Sequence, residues 1–230
     1  MKEAKISEIF LSYQGEGPYT GSRQLFIRFF GCDLGCKFCD TRQESYKTFT
    51  RDTLLCKVLD FDDDYNELSL TGGEPLMYAS FLSEFLPAFR KHRQHKVYLE
   101  TNGMRPEELK SVIDHIDIVS MDMKLPSSTG SGSSPWKAHK EFLGVSLAKE
   151  VIVKAVITDT TTMDDIKKMT EVLRSVPSGY EVVLQPVTPS DAGTPGPDDE
   201  MMFFFKEYIK KETGTPVLIL GQAHKYVGIK

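Results

Sequence analysis

The chain has 230 residues, of which 40% are hydrophobic and 27% charged, close to ordinary globular usage and unlike a disordered, collagen-like or membrane-spanning chain. Twenty-eight basic against 33 acidic residues leave a net charge of −5, which argues against a general nucleic-acid surface but allows a local basic pocket for a small anion. The first ten residues alternate charge with apolar side chains and contain no signal-peptide core, so a cytoplasmic protein with no membrane or nucleic-acid partner is expected.

Short apolar and β-branched runs at 24–30, 67–71, 96–101, 116–122, 150–157, 181–186 and 216–220 read as strands. Helix-like stretches at 50–59, 80–94, 106–115, 163–175 and 198–211 fall between them. In the second of these, Phe81, Leu82, Phe85, Leu86 and Phe89 recur at helical spacing, and Pro87 is expected to kink or divide the helix. Acidic residues at 60–66 mark a turn, the Ser/Gly-rich stretch 127–135 reads as a mobile linker, and the Pro/Gly-rich stretch 188–197 as a loop. Alternating strands and helices predict a parallel α/β sheet, and seven strands are too few for a closed eight-stranded barrel. The fold expected is an open, partial parallel β/α barrel, with one domain over residues 1–230 and functional groups at the carboxyl ends of the strands.

Three of the four cysteines, Cys32, Cys36 and Cys39, form a C-x3-C-x2-C loop directly after the first strand. Such tight spacing lets three thiolates converge on one inorganic centre. Structural zinc ordinarily takes four protein ligands, and Cys56 lies among Leu54, Leu55, Val58 and Leu59, where a buried structural cysteine is expected. Three thiolates on a 4Fe-4S cube leave one iron open to chelate a substrate or cofactor. A non-enzymatic protein that only binds an iron-sulfur cluster, or a zinc completed by a distant His or Asp, is the alternative from another class.

The motif, with Phe38 before its third cysteine, resembles the signature of the radical S-adenosylmethionine superfamily. Thr71-Gly-Gly-Glu-Pro75, closing a predicted strand, resembles that superfamily's GGEP segment. The resemblance implies a 4Fe-4S cluster held by Cys32, Cys36 and Cys39, and S-adenosylmethionine cleaved to a 5′-deoxyadenosyl radical. It also implies adenosylmethionine contacts at Phe38, Asp40, Gly73, at Glu74 as acceptor for the ammonium group, and at Asn102, Asp122, Lys124 and Gln185. Lys154, inside the run 150–157, reads equally as a pocket lysine or a solvated edge residue.

The opening, Ser7 through the Gln14-Gly-Glu-Gly17 segment, then Phe26-Ile-Arg28 and Cys39-Asp-Thr41, is similar to that of the 7-carboxy-7-deazaguanine synthase family. So is the ending, Leu220-Gly-Gln-Ala-His-Lys225. This resemblance implies a carbon-nitrogen lyase that converts 6-carboxy-5,6,7,8-tetrahydropterin to 7-carboxy-7-deazaguanine in queuosine and deazapurine synthesis, with loss of ammonia and regeneration of S-adenosylmethionine. Pterin contacts are then expected at Tyr13, Gln14, Gly15, Glu16, Thr71, His224 and the terminal Lys230, with Arg28 pairing the substrate carboxylate. Thr41 would bind Mg2+, whose preference for oxygen ligands suits a hydroxyl beside a substrate carboxylate. An electron donor such as flavodoxin or ferredoxin and a homodimeric state are also implied. One segment departs: Asp122-Met-Lys124 stands where family members carry Ser-Pro-Lys, and resembles instead the glycyl-radical activating enzymes, the second enzymatic reading.

Overall fold

The strands of the computed structural model pack one side against an apolar layer of helices and gather polar side chains on the other, toward their carboxyl ends. The structure describes residues 2–41, 43–130, 134–188 and 196–228. The seven runs expected as strands form its parallel part: β2 (Arg23–Phe29), β4 (Glu67–Gly72), β5 (Lys96–Thr101), β6 (Ile118–Asp122), β7 (Glu150–Ile157), β8 (Tyr180–Pro186) and β9 (Val217–Ile219). Two further strands, β1 (Glu3–Tyr13) and β3 (Lys47–Thr50), were not expected, and β1 pairs antiparallel with both β2 and β3. The order β3-β1-β2-β4-β5-β6-β7-β8-β9 leaves β3 and β9 as edges, so the barrel is open as anticipated. The signal for β1 is present in the alternation of buried Ala4 and Ile6 with exposed Glu3 and Lys5.

The helices are α1 (Arg51–Leu59), α2 (Ala79–Arg90), α3 (Pro106–Lys110), α4 (Pro126–Thr129), α5 (Trp136–Ser146), α6 (Met163–Arg174), α7 (Asp199–Thr213) and α8 (Ala223–Val227). Phe81, Leu82, Phe85, Leu86 and Phe89 of α2 are all buried in the main core with Leu25, Ile27 and Phe29 of β2. At ~1.5–3 kcal/mol for each fully buried large apolar side chain, this one stripe makes α2 a principal anchor of the layer. It is one element through Pro87 and ends at Arg90, so the proline does not divide it.

Three expectations need correction. Cys56 is exposed, because α1 buries Leu54 and Val58 four residues apart and turns the position between them outward. The stretch 127–135 is not a plain linker: it begins in α4 and ends on Pro135, the N-cap of α5, while residues 131–133 lie outside those described. Helix α5 itself was missed, although His139, Phe142, Leu143 and Ser146 are buried at helical spacing. Most of the 188–197 loop, residues 189–195, likewise lies outside the described residues.

Candidate active site

Residues on the other face of the strands point inward. On β2 these are Gln24, Phe26 and Arg28, and on β4 Glu67, Ser69 and Thr71. Register puts Arg28 beside Thr71 and Asp122 beside Lys154. Toward the carboxyl ends they line a cavity of about 1030 Å³ together with the cysteine loop, the Gln14–Glu16 turn and the C-terminal segment around Gln222 and His224. Lys154 is therefore a pocket lysine. A small apolar cluster of Tyr98, Ile118, Ile152 and Val183 packs within the sheet's concave side.

The cysteine loop is tied down from several elements. The Lys37 N–H donates to the Thr129 carbonyl of α4 at 3.1 Å, and the Gly31 N–H to Gln43 Oε1 at 2.7 Å. Asp33 accepts from Asn102 Nδ2 at 2.9 Å and from Arg105 Nε at 3.0 Å. At the end of β4 the backbone comes so close that a Cβ on Gly73 would stand 1.8 Å from the Gly31 carbonyl oxygen. Only glycine permits that approach.

Cys32, Cys36 and Cys39 all line the cavity, and three soft thiols on one short loop are the donor set an iron-sulfur cluster takes. Among the described residues no three His, Cys, Asp or Glu side chains stand close enough as they lie to hold a metal ion, so the thiols must draw together to ligate. Burial pushes the Cys32 and Cys36 thiols above their ordinary value, and ligation would release their protons. Two buried acceptors of this cavity, Asp122 Oδ1 and Gln185 Oε1, have no hydrogen-bond partner among the described residues. An adenosylmethionine molecule, with ribose hydroxyls and an ammonium group to donate, fits that deficit.

The other residues expected at this cofactor divide. Phe38 and Lys124 line the cavity with Lys124 Nζ 5.4 Å from the Phe38 ring centroid, and Lys124 Nζ pairs with Asp122 Oδ2 at 2.7 Å. Asn102 lines it too, but its amide is spent on Asp33 and on the Met104 N–H. Glu74 is fully buried behind the lining. Its carboxylate accepts from the Leu76 N–H, the Thr101 hydroxyl and the Asn102 N–H, and so braces the ends of β4 and β5 instead of facing a ligand ammonium group. Burial outweighs those hydrogen bonds and pushes its pKa up to about 7. Asp40 lines the cavity but pairs with Lys225 Nζ at 2.6 Å. The Thr41 hydroxyl, also at the cavity, lies 3.5 Å from Asp40 Oδ1.

The Gln14–Glu16 turn and the segment around Gln222 and His224 meet at the same cavity. Buried Gln14 uses its whole amide on protein: Nε2 donates to Glu100 at 2.8 Å and Gln24 at 3.3 Å, and Oε1 accepts from the Gly15 and Glu16 N–H groups. It thus shapes the turn, and Thr71 likewise donates to Glu100. A Cβ on Gly15 would come 2.2 Å from His224 Nδ1, so glycine admits the C-terminal segment, whose Ala223 N–H donates to the Gly15 carbonyl at 2.8 Å. Glu16 accepts from Gln222 Nε2 at 2.7 Å and pairs with Lys154. Burial would raise the Glu16 pKa, but Lys154 and Gln222 outweigh it and bring it to about 2. Arg28 lines the cavity paired with Glu8 at 3.0 Å, and Tyr13 is half exposed at its rim. Lys230 lies outside the described residues. Gln222 stood in the family-like ending, but sequence reading missed Asp33 and Arg105 as organisers of the site, since nothing local marks a residue that acts by bridging distant segments.

A family model described as the Radical SAM superfamily matches residues 26–143. The chain is 34% identical over 208 residues to the 7-carboxy-7-deazaguanine synthase of Geobacter sulfurreducens, covering 80% of this chain and 82% of that relative. It is 30% identical over 252 residues to the 7-carboxy-7-deazaguanine synthase of Methanocaldococcus jannaschii, covering 97% and 99%. The solved structure of QueE from Escherichia coli shares the fold, with a TM-score of 0.64 over 94% of this chain and 93% of that one at 19% identity.

Proposed function

The chain belongs to the radical SAM superfamily and, within it, to the 7-carboxy-7-deazaguanine synthase family, and from that premise we propose that its cavity converts 6-carboxy-5,6,7,8-tetrahydropterin to 7-carboxy-7-deazaguanine by ring contraction with loss of ammonia. The observation that carries this reading is the meeting, in one cavity, of the three-cysteine loop with Glu16 and His224 from the two ends of the chain. When bound, the 4Fe-4S cluster and S-adenosylmethionine supply the one-electron chemistry that generates a hydrogen-abstracting radical.

The chain's own residues hold and orient. Cys32, Cys36 and Cys39 would ligate the cluster, and Asp122 and Gln185 would accept from the adenosylmethionine through their unpartnered oxygens. Glu16 accepts from the pterin amino and ring N–H groups through lone pairs that Lys154 and Gln222 leave open. Arg28 turns its guanidinium to the substrate carboxylate, for which its planar fork is suited. Thr41 would offer its hydroxyl oxygen to a bound Mg2+, a hard ion suited to oxygen ligands, which would help to organise the substrate carboxylate. The C-terminal segment, joined to the Gly15 turn through the Ala223 N–H, walls part of the cavity and would help to keep water from the radical's target. The reading includes a single domain, an outside electron donor such as flavodoxin or ferredoxin, a homodimer and a cytoplasmic location.

Asp122-Met-Lys124 keeps the glycyl-radical activating reading as the second one. Anaerobic protein reconstituted with iron and sulfide, then given reductant, S-adenosylmethionine, Mg2+ and the carboxytetrahydropterin, is expected to form the deazapurine by mass spectrometry. An intact cluster with adenosylmethionine cleavage but no deazapurine would favour the activase. Thr41→Ala is expected to lower turnover at least tenfold and to raise the Mg2+ concentration needed. Unchanged Mg2+ dependence would remove Thr41 from the metal site.

A further inference from the structure

Among the described cations of the cavity, Lys154 has a partner in Glu16 but has been given no role toward a ligand. Lys154 rises from the middle of β7, with its side chain 14% exposed, and its ammonium contacts Glu16, whose side chain is 20% exposed. Its next neighbour, Asp122 Oδ2, is farther off at 3.7 Å and already held by Lys124 at 2.7 Å. Gln222 grips the other oxygen of Glu16. A mostly buried carboxylate is held ionised by a partner charge, and an ammonium at contact distance also fixes where its oxygens point.

We propose that Lys154 is a positioning residue for the pterin, holding the Glu16 carboxylate ionised and aimed so that it can accept from the ligand's amino and ring N–H groups. The proposal rests on the substrate reading above and adds to it the device that keeps the acceptor charged. The other groups that face Glu16 do not replace the lysine. Gln222 is neutral, and Asp40 on the cysteine loop, Tyr98 and Glu100 on β5 and Asp122 on β6 bring no positive charge. Of the described cations nearby, Lys225 is held by Asp40 and Lys124 by Asp122, and His224 can carry positive charge toward Glu16. With Lys154 gone, burial and the nearby carboxylates act unopposed by a fixed charge, and Glu16 titrates above the ordinary carboxylate range.

The test is binding of 6-carboxypterin, the stable oxidised analogue, followed by its fluorescence from pH 5 to 7.5 in the reconstituted protein. Wild-type affinity is expected to be flat in this range. In Lys154→Met it should weaken as pH falls, by roughly tenfold for each pH unit below the raised Glu16 pKa. Lys154→Arg should restore the flat profile, and Glu16→Gln should bind weakly at every pH. The double variant Glu16→Gln/Lys154→Met removes both charges and guards against a fold lost to one unpaired carboxylate; it should bind no worse than Glu16→Gln alone. A flat profile in Lys154→Met, or additive losses in the double variant, would overturn the proposal. Wild-type enzyme that makes no deazapurine contradicts the substrate reading, whereas wild-type turnover with a flat Lys154→Met profile contradicts the role of Lys154 alone.

Discussion

At Gly73 and at His139 a single side chain, missing or neutral, decides whether the mouth of the cavity can form. Gly73→Ala would drive a methyl group into the Gly31 carbonyl, a backbone atom that cannot swing aside, and Gly31 begins the cysteine loop. The variant should lose about 1–3 kcal/mol of stability and most of its iron after reconstitution; an unaltered melting temperature and full iron content would refute the close approach. His139 is fully buried on α5 and its Nε2 accepts from the Lys124 N–H at 3.4 Å, so it sets the segment that follows β6. Burial brings its pKa down from 6.5 to about 4. The unfolded chain takes up the proton first as pH falls, so stability is intact above pH 6.5 and is lost down to about pH 4, by at most ~3 kcal/mol. Urea unfolding at pH 7 and pH 4.5 should show a larger acid loss in the wild type than in His139→Gln. Equal losses would mean that the imidazole is not held neutral.

The C-terminal segment carries the most consequence among the elements. Gln222 donates to Glu16 and, at 3.3 Å, to Asp40, and accepts from Thr188, while Lys225 pairs with Asp40. Removal of residues 222–230 should therefore cut deazapurine formation at least a hundredfold while the cysteine loop still takes up iron. Retained turnover would show that the strap does not complete the site. How much could be read in advance follows from the range of each interaction. The seven parallel strands and the cysteine loop are local patterns, and they were legible as runs and spacings. Gln14 and Glu74 were recognised by their motifs, yet the Gln14 amide nitrogen turned out to serve Glu100 and Gln24, and the Glu74 carboxylate Thr101 and the Asn102 N–H. That depends on neighbours brought in from other strands. Helix α5 was hidden because a Ser/Gly-rich stretch runs into it, and β1 because its alternation was read only as evidence about targeting.

For the molecule as a whole, a sheet with one apolar and one polar face explains how an acidic chain of ordinary composition encloses a charged pocket. Helices cover the apolar face, and the polar face gathers Arg28, Glu100, Asp122, Lys154 and Gln185 under the cysteine loop. No described helix is long and apolar enough to cross a membrane. The central claim is that this pocket turns a carboxytetrahydropterin into a deazapurine by radical chemistry. It is tested most directly by counting the 7-carboxy-7-deazaguanine and the 5′-deoxyadenosine formed in one anaerobic reaction. The account predicts deazapurine in many-fold excess over deoxyadenosine, abolished when Cys32, Cys36 and Cys39 are replaced by alanine. Deoxyadenosine without deazapurine, from protein with an intact cluster, would contradict it.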